Sequence, residues 1–237
     1  MSWNAIFIPF GDRLYAITED GSFFGALTAN WNNFEWSWLE LPKPTYQCDD
    51  IVSSYAVHPD GNSIFANSVN QQSIIPSITF SCDVAAVPVT RWTQHGLWHL
   101  PFTGRGYYEP ELDAWVRLSG DLNSTGHICA CDVVNTGTED DSNQQCLDLT
   151  LNKKKLFSRV PGEMHIGATL VYMGGGGKFC LLEAIYIKVD DQLTDSEDES
   201  GGTVHERNRF FRLTTFLVRY DKNGKLTTMN SRRVSYY

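Results

Sequence analysis

One strand pattern recurs along this chain: an apolar residue, a spacer, a second apolar residue, then aspartate and a turn. It stands at FSCDV (Phe80 to Val84), CACDV (Cys129 to Val133) and LVRYDKNG (Leu217 to Gly224). Alternate residues of a strand share a face, and one face is apolar each time: Phe80, Cys82 and Val84; Cys129, Cys131 and Val133; Phe216, Val218 and Tyr220. Units of several strands that repeat every ~40 to 50 residues are the signature of a β-propeller or related array. Such arrays bind partners more often than they catalyse reactions.

Two further elements frame each aspartate strand. Before it comes a strand, a tight turn and a strand, in Phe7 to Thr18, Ser54 to Ser68, Gly106 to Ser119 and Thr169 to Glu183. Gly11-Asp12, Asp60-Gly61 and the run Gly174 to Gly177 supply the positive φ of hairpin turns, between flanks rich in aromatic and β-branched residues. The third hairpin turns on Pro110 and Asp113 instead. After it comes an aromatic strand running into proline, in Phe34 to Pro44, Arg91 to Phe102 and Lys155 to Gly162. Hairpin, aspartate strand and aromatic strand make one four-stranded antiparallel blade. About four such units fit the chain, the first and last imperfect, with a polar insertion around Asn135 to Gln145.

A chain of 237 residues is long enough to bury a core as one domain, spanning 1–237. No long apolar stripe of helical period appears, so helix content is expected to be low. The N-terminal residues lack a basic run and a small-residue cleavage site, and no apolar run is long enough for a membrane span. The expectation is a soluble, unsecreted protein of the cytoplasm or nucleus, without membrane contact. Asn123-Ser-Thr, a glycosylation acceptor by pattern, is expected to stay bare.

The six cysteines read as reduced, buried thiols rather than a disulfide scaffold. Cys129 and Cys131, with His127 just before them, form the one soft-ligand cluster. Paired zinc-binding cysteines are usually separated by two to four residues, and no second close pair exists, so packing is the better reading. No metal or cofactor is expected.

The formal charge of −9 is concentrated. Asp190, Asp191, Asp195, Glu197, Asp198 and Glu199 crowd one polar segment, read as a disordered acidic loop over 190–206, while the body is close to balanced. Thr194 and Ser196 each have an acid three residues later, the pattern acidophilic kinases read, and are the candidate phosphorylation sites. Nucleic-acid binding is disfavoured, since the only basic run is Lys153 to Lys155.

Catalytic constellations are weak. Glu109, Glu111 and Asp113 could divide acid and base roles, as carboxylates do in glycosidases, but they sit at a hairpin turn. His95 and His99 share a strand face around Trp98 and read as rim or core histidines. Gly174 to Gly177 is not a phosphate loop, because no Gly-Lys-Ser/Thr follows.

The run RWTQHGLWHLPFTGRGYYEPELDAWVRLSG, then GHICACDV, then GATLVYMGGGGKFCLLEAIYI, resembles the plant, grass-expanded domain-of-unknown-function family sixteen-sixty-eight, whose members resemble kelch and F-box-associated propellers. The resemblance runs from about Ile51 to the end and is most specific over Trp98 to Asp132. It implies a propeller and no assigned activity, so it carries no catalytic residues over. Members are generally longer than this chain, and no helical F-box-like segment stands at the N-terminus. A shortened array would leave its ring strained or incompletely closed, with apolar faces free for self-association.

The expected protein is therefore an all-β, β-propeller-like array of about four four-stranded antiparallel blades, shortened or incompletely closed. Its expected role is a non-catalytic protein-interaction module. The alternatives are a carbohydrate or ester hydrolase, and a shortened paralogue with little independent activity. Propeller binding surfaces are built by rim loops, and the candidate partner-binding residues are Arg105, Tyr107, Tyr108 and Glu109, read as an exposed loop. The acidic loop is a second candidate surface.

Overall fold

The computed structural model describes residues 4–30, 35–45, 50–70, 78–86, 91–96, 99–120, 122–134, 149–157, 160–187 and 209–236. These hold sixteen strands and one short 3-10 turn, Leu122–Ser124. The strands form four antiparallel meanders in chain order. The first is β1 (Ala5–Phe10), β2 (Arg13–Thr18), β3 (Phe24–Asn30) and β4 (Glu35–Glu40). The second is β5 (Asp50–Val57), β6 (Ser63–Asn70), β7 (Ile78–Asp83) and β8 (Trp92–Gly96). The third is β9 (Gly104–Glu109), β10 (Ala114–Leu118), β11 (Ile128–Asp132) and β12 (Leu149–Leu151). The fourth is β13 (Glu163–Tyr172), β14 (Lys178–Ile187), β15 (Arg209–Tyr220) and β16 (Leu226–Tyr236). This is an all-β, β-propeller-like array, and the fourth unit, expected to be imperfect, has the longest strands.

The first strands of the second and third meanders pair directly. β5 and β9 run parallel with Ser54 opposite Gly104, Tyr55 opposite Arg105 and Ala56 opposite Gly106. The second and third meanders thus fuse into one eight-stranded sheet folded along that seam.

Three buried clusters fill the three successive junctions. Ile8, Tyr15, Ile17 and Phe24 of the first meander pack with Val52, Ile64, Phe80 and Trp92 of the second. Phe65 and Ala56 pack with Trp115, Cys129 and Cys131 of the third. Val116, Ile128 and Ala130 then pack with Leu170, Phe179, Leu181 and Phe216 of the fourth. Each Val, Leu, Ile or Phe among them contributes about 1.5–3 kcal/mol when fully buried. The faces alternate as strand parity demands: Ile64 and Phe65 point to different junctions, as do Cys129 and Ala130.

The recurring aspartate has a mechanical explanation. Asp83 Oδ1 accepts the Ala85 and Ala86 N–H groups at 2.9 and 3.2 Å, and Asp221 Oδ1 accepts those of Asn223 and Lys225 at 2.8 and 3.0 Å. In both cases the carboxylate caps the turn that ends the third strand. Asp60 does the same in the second hairpin, accepting the Asn62 and Ser63 N–H groups.

The third closing strand departs from expectation. The described residues of Lys155 to Gly162 are not in a strand, and Leu149–Leu151 fills the place instead, opposite Cys129 to Cys131. Asn152 explains the exit: its Oδ1 accepts the Ile128 N–H at 2.9 Å and its Nδ2 donates to the Lys154 carbonyl at 2.7 Å, turning the chain off the sheet edge. Leu156 then drops into the third junction and Phe157 stacks on His165 with centroids 4.5 Å apart. The insertion around Asn135 to Gln145, the acidic loop at 190–206 with Thr194 and Ser196, and Trp98 lie outside the described residues.

Candidate functional site

β9 gathers the first strands of the other three meanders around it. Tyr55 of β5 is its register partner, a long contact of 3.5 Å joins Arg105 Nη2 to the Pro9 carbonyl of β1, and Tyr107 lies 6.2 Å from Tyr172 of β13. Arg105, Tyr107, Tyr108 and Glu109 are consequently strand residues, not an exposed loop. The alternation explains the misreading: Gly106, Tyr107 and Tyr108 look open in sequence, but their strand is walled by neighbours on both faces.

Glu109 is completely buried. Its Oε1 accepts the Glu111 N–H and its Oε2 the Gly177 N–H, both at 3.0 Å, locking the β9–β10 turn to the β13–β14 turn. The Tyr172 hydroxyl is pushed upward by burial and then by this carboxylate. The Tyr108 hydroxyl donates to Asp113 Oδ1 at 2.8 Å, which raises its pKa and steadies Asp113 at φ 48. Glu111 pairs with Arg219 at 3.4 Å. The three carboxylates of the hairpin thus each have separate structural partners.

Arg105 lies over the Tyr107 ring, 4.8 Å from its centroid. Arg117 approaches from β10, donating from Nη1 to the Arg105 carbonyl at 2.9 Å. Burial lowers the Arg117 pKa, an effect the Tyr107 and Tyr55 hydroxyls oppose. Burial raises the Tyr55 hydroxyl pKa, while the Arg105 charge pulls it back. Sequence alone singled out Arg105 and Tyr107 but missed Tyr55 and Arg117, which only the parallel seam and the β9–β10 pairing bring beside them.

The remaining candidates fall elsewhere. Cys129 and Cys131 sit in the second junction, burial pushing the Cys129 thiol up to about 12 and the Cys131 thiol higher still. His127 meets the Asn152 carbonyl through Nδ1 at 2.9 Å. Among the described residues no three His, Cys, Asp or Glu side chains are placed to hold a metal ion. His95 meets Ser81 Oγ at 2.6 Å and stacks on Phe65, and burial lowers its pKa; His99 is exposed. A cleft of about 600 Å³ lies between the first two meanders, lined by Phe10, Tyr15, Leu39, Leu41, Pro42 and Val84. Two of its charged residues have local partners, Arg13 with Asp12 at 4.0 Å and Glu40 with Lys43 at 2.9 Å.

The two ends of the array carry apolar side chains outward. On the first meander Phe7 and Trp38 pack together 6.3 Å apart yet remain 53 % and 40 % exposed, beside Trp36. On the fourth, Val171, Phe211, Val234 and Tyr236 are exposed, with Phe211 opposite Tyr236 and Leu213 opposite Val234. Among the described residues no buried cluster joins these two ends.

Comparison with known proteins gives a family and distant structural likenesses. Residues 1–237 match the family model described as "Protein of unknown function (DUF1668)". No curated protein sequence matches. Among solved structures, the periplasmic gluconolactonase PpgL of Pseudomonas aeruginosa shares 12 % identity over 94 % of this chain and 70 % of its own, with a TM-score of 0.39. GH43B of the Bacteroides ovatus xyloglucan locus shares 11 % identity over 98 % of this chain, with a TM-score of 0.43; this chain spans only 56 % of its length. Likenesses this distant say nothing about activity.

Proposed function

The chain belongs to the DUF1668 family of proteins of unknown function, and from that premise we propose that it is a non-catalytic protein-interaction module. The observation that carries this reading is the pair of free sheet faces, Phe7, Trp36 and Trp38 at one end and Phe211, Val234 and Tyr236 at the other. Large exposed apolar patches mark interaction sites, and Trp and Tyr are favoured anchors.

A second copy of this chain is the proposed occupant of these faces, because the chain itself supplies three examples of the contact. At every internal junction the forward face of one meander meets the backward face of the next, as Phe65 meets the side of the sheet that holds Trp115. By strand parity Leu182 and Leu213 lie on the free forward face, and Leu27 and Trp38, opposite each other, on the free backward face. A head-to-tail contact between copies would repeat the junction. The commitment of Glu109, Glu111 and Asp113 to structural partners supports a non-catalytic role. The four described cysteines are free, which suits a reducing compartment such as the cytosol or nucleus.

The test is light scattering across concentrations on the full chain, with Trp38→Asp and Leu213→Asp made separately. Association is expected in the parent protein and is lost in each variant alone. Mixing the two restores pairs of one size, since each variant keeps one intact face. A monomer at all concentrations, or no pairing on mixing, would overturn the head-to-tail reading. Turnover of chromogenic esters or glycosides by the purified chain would overturn the non-catalytic one.

A further inference from the structure

The junction of the first two meanders is sealed in one part and open in another. Phe24 meets Trp92 edge-on across it, ring centroids 5.1 Å apart and both side chains buried. Toward the turns that hold Gly11 and Gly61 the same two sheets part into the cleft of about 600 Å³. Strand register shows which side chains face it. Ile8 pairs with Tyr15, Tyr15 with Ala26 and Ala26 with Leu39, one row across the first meander on the face that packs against the second. Ile8 is fully buried in that row, yet Leu39 at its far end is 55 % exposed.

The gap has a cause in the residues that border it. Ala26, Gly61, Ala85 and Ala86 fill little space, and beside Gly11 and Gly61 nothing stands within 4 Å of where a Cβ would be. Asp83 fixes Ala85 and Ala86 through their N–H groups, and Trp92 ties the end of the first meander to the second by donating from Nε1 to the Pro42 carbonyl at 3.0 Å. Protein interiors are close-packed and leave few voids larger than a water molecule. An apolar gap of this size, held open by fixed walls, has the volume of a small-molecule site, about 300–1,000 Å³, and the usual place of one, between packed units.

The wall chemistry narrows the ligand. Phe10 and Tyr15, rings 6.4 Å apart, and Leu39, Leu41 and Pro42 make a largely aromatic and aliphatic surface. The charges at the rim are balanced, Arg13 beside Asp12 and Glu40 beside Lys43, so an ion would shed water without gaining a counter-charge. Tyr15 is the one uncharged polar side chain among the described lining residues, set deep in the wall at 3 % exposed. A phenol can donate or accept a hydrogen bond.

We propose that this cleft binds an uncharged, largely apolar ring compound carrying one hydroxyl or carbonyl group. Phe10, Leu39 and Leu41 pack its body, and the Tyr15 hydroxyl meets its polar group. The site is independent of the head-to-tail contact, because Leu39 and Trp38 lie on opposite faces of β4.

The experiment is calorimetric titration of the full chain with 2-naphthol, 2-naphthoate and 2-naphthylmethylammonium, with the melting temperature read at saturation. 2-Naphthol is expected to bind once per chain and to raise the melting temperature, and the two ions to bind at least about tenfold more weakly. Leu39→Asp should weaken 2-naphthol at least about tenfold, since the ligand would then desolvate a carboxylate. Tyr15→Phe, which keeps the ring, should weaken it about fivefold, the scale of one net hydrogen bond, and leave naphthalene unchanged. Trp38→Asp should keep the parent affinity whatever it does to association. Absence of saturable binding, parent affinity in Leu39→Asp, or loss of binding in Trp38→Asp overturns the cleft as the site. Tighter binding of either ion overturns the uncharged ligand, and parent affinity in Tyr15→Phe overturns the polar contact.

Discussion

The Glu109 carboxylate accepts the Gly177 N–H at 3.0 Å across the junction of the third and fourth meanders, while its other oxygen holds the Glu111 N–H. A residue that reads as surface acid therefore fastens two turns together. Glu109→Ala strands buried donors and is expected to cost about 1–3 kcal/mol. Urea unfolding measures it, and an unchanged midpoint would remove the fastening role.

Gly177 itself admits no side chain. Its φ is +68, and a Cβ would stand 2.3 Å from the Val218 carbonyl oxygen. Gly174, with φ +84, has nothing within 4 Å. Both Gly→Ala changes carry the left-handed cost of about 1–2 kcal/mol, but Gly177→Ala adds the backbone clash. It should lower the melting temperature clearly more than Gly174→Ala, and equal losses would refute the contact.

Arg212 grips Glu163 with two bonds of 2.6 and 2.8 Å, both side chains nearly buried. Removing one partner leaves a buried charge, so Arg212→Met should cost about 3–5 kcal/mol. The double change Arg212→Met with Glu163→Leu should recover much of that loss. Denaturant midpoints of the three variants decide it, and no recovery in the double variant would argue against the pair.

Asp60 supplies a pH dependence of definite sign. Burial raises its pKa, but the Asn62 and Ser63 N–H groups and the Ser63 hydroxyl outweigh this and hold it below the ordinary 3.8. The depressed folded value means the stabilisation is present above pH 3.8 and is lost as pH falls through the folded pKa. Asp60→Asn should therefore be less stable at neutral pH and show a shallower acid transition. Asp20 and Asp221, lowered in the same way, leave the remainder.

Thiol labelling reports the packing of the junctions. Cys82 and Cys129 are pushed up to about 12 by burial, and Cys131 further, whereas Cys180 is only partly covered. Alkylation of the native protein should modify Cys180 before those three, as read by mass spectrometry, and denaturant should release them together. Early labelling of Cys129 or Cys131 would contradict the second junction.

The sequence by itself determined the four meanders and most of their turns, because strand parity and turn chemistry are local. Asp83 and Asp221 cap the turns that follow them, and Gly11 and Gly61 adopt positive φ where the hairpins need it. Even Cys129 and Cys131 were legible as core from their parity. Local pattern could not show that Leu149–Leu151 rather than Lys155 to Gly162 closes the third unit, since a three-residue edge strand is set by its partner. Nor could it show Glu109 as buried, or bring Tyr55 of β5 beside Arg105 of β9. Those positions follow from how the meanders stack and from the parallel register of β5 against β9, long-range pairings that leave no periodic trace along the chain.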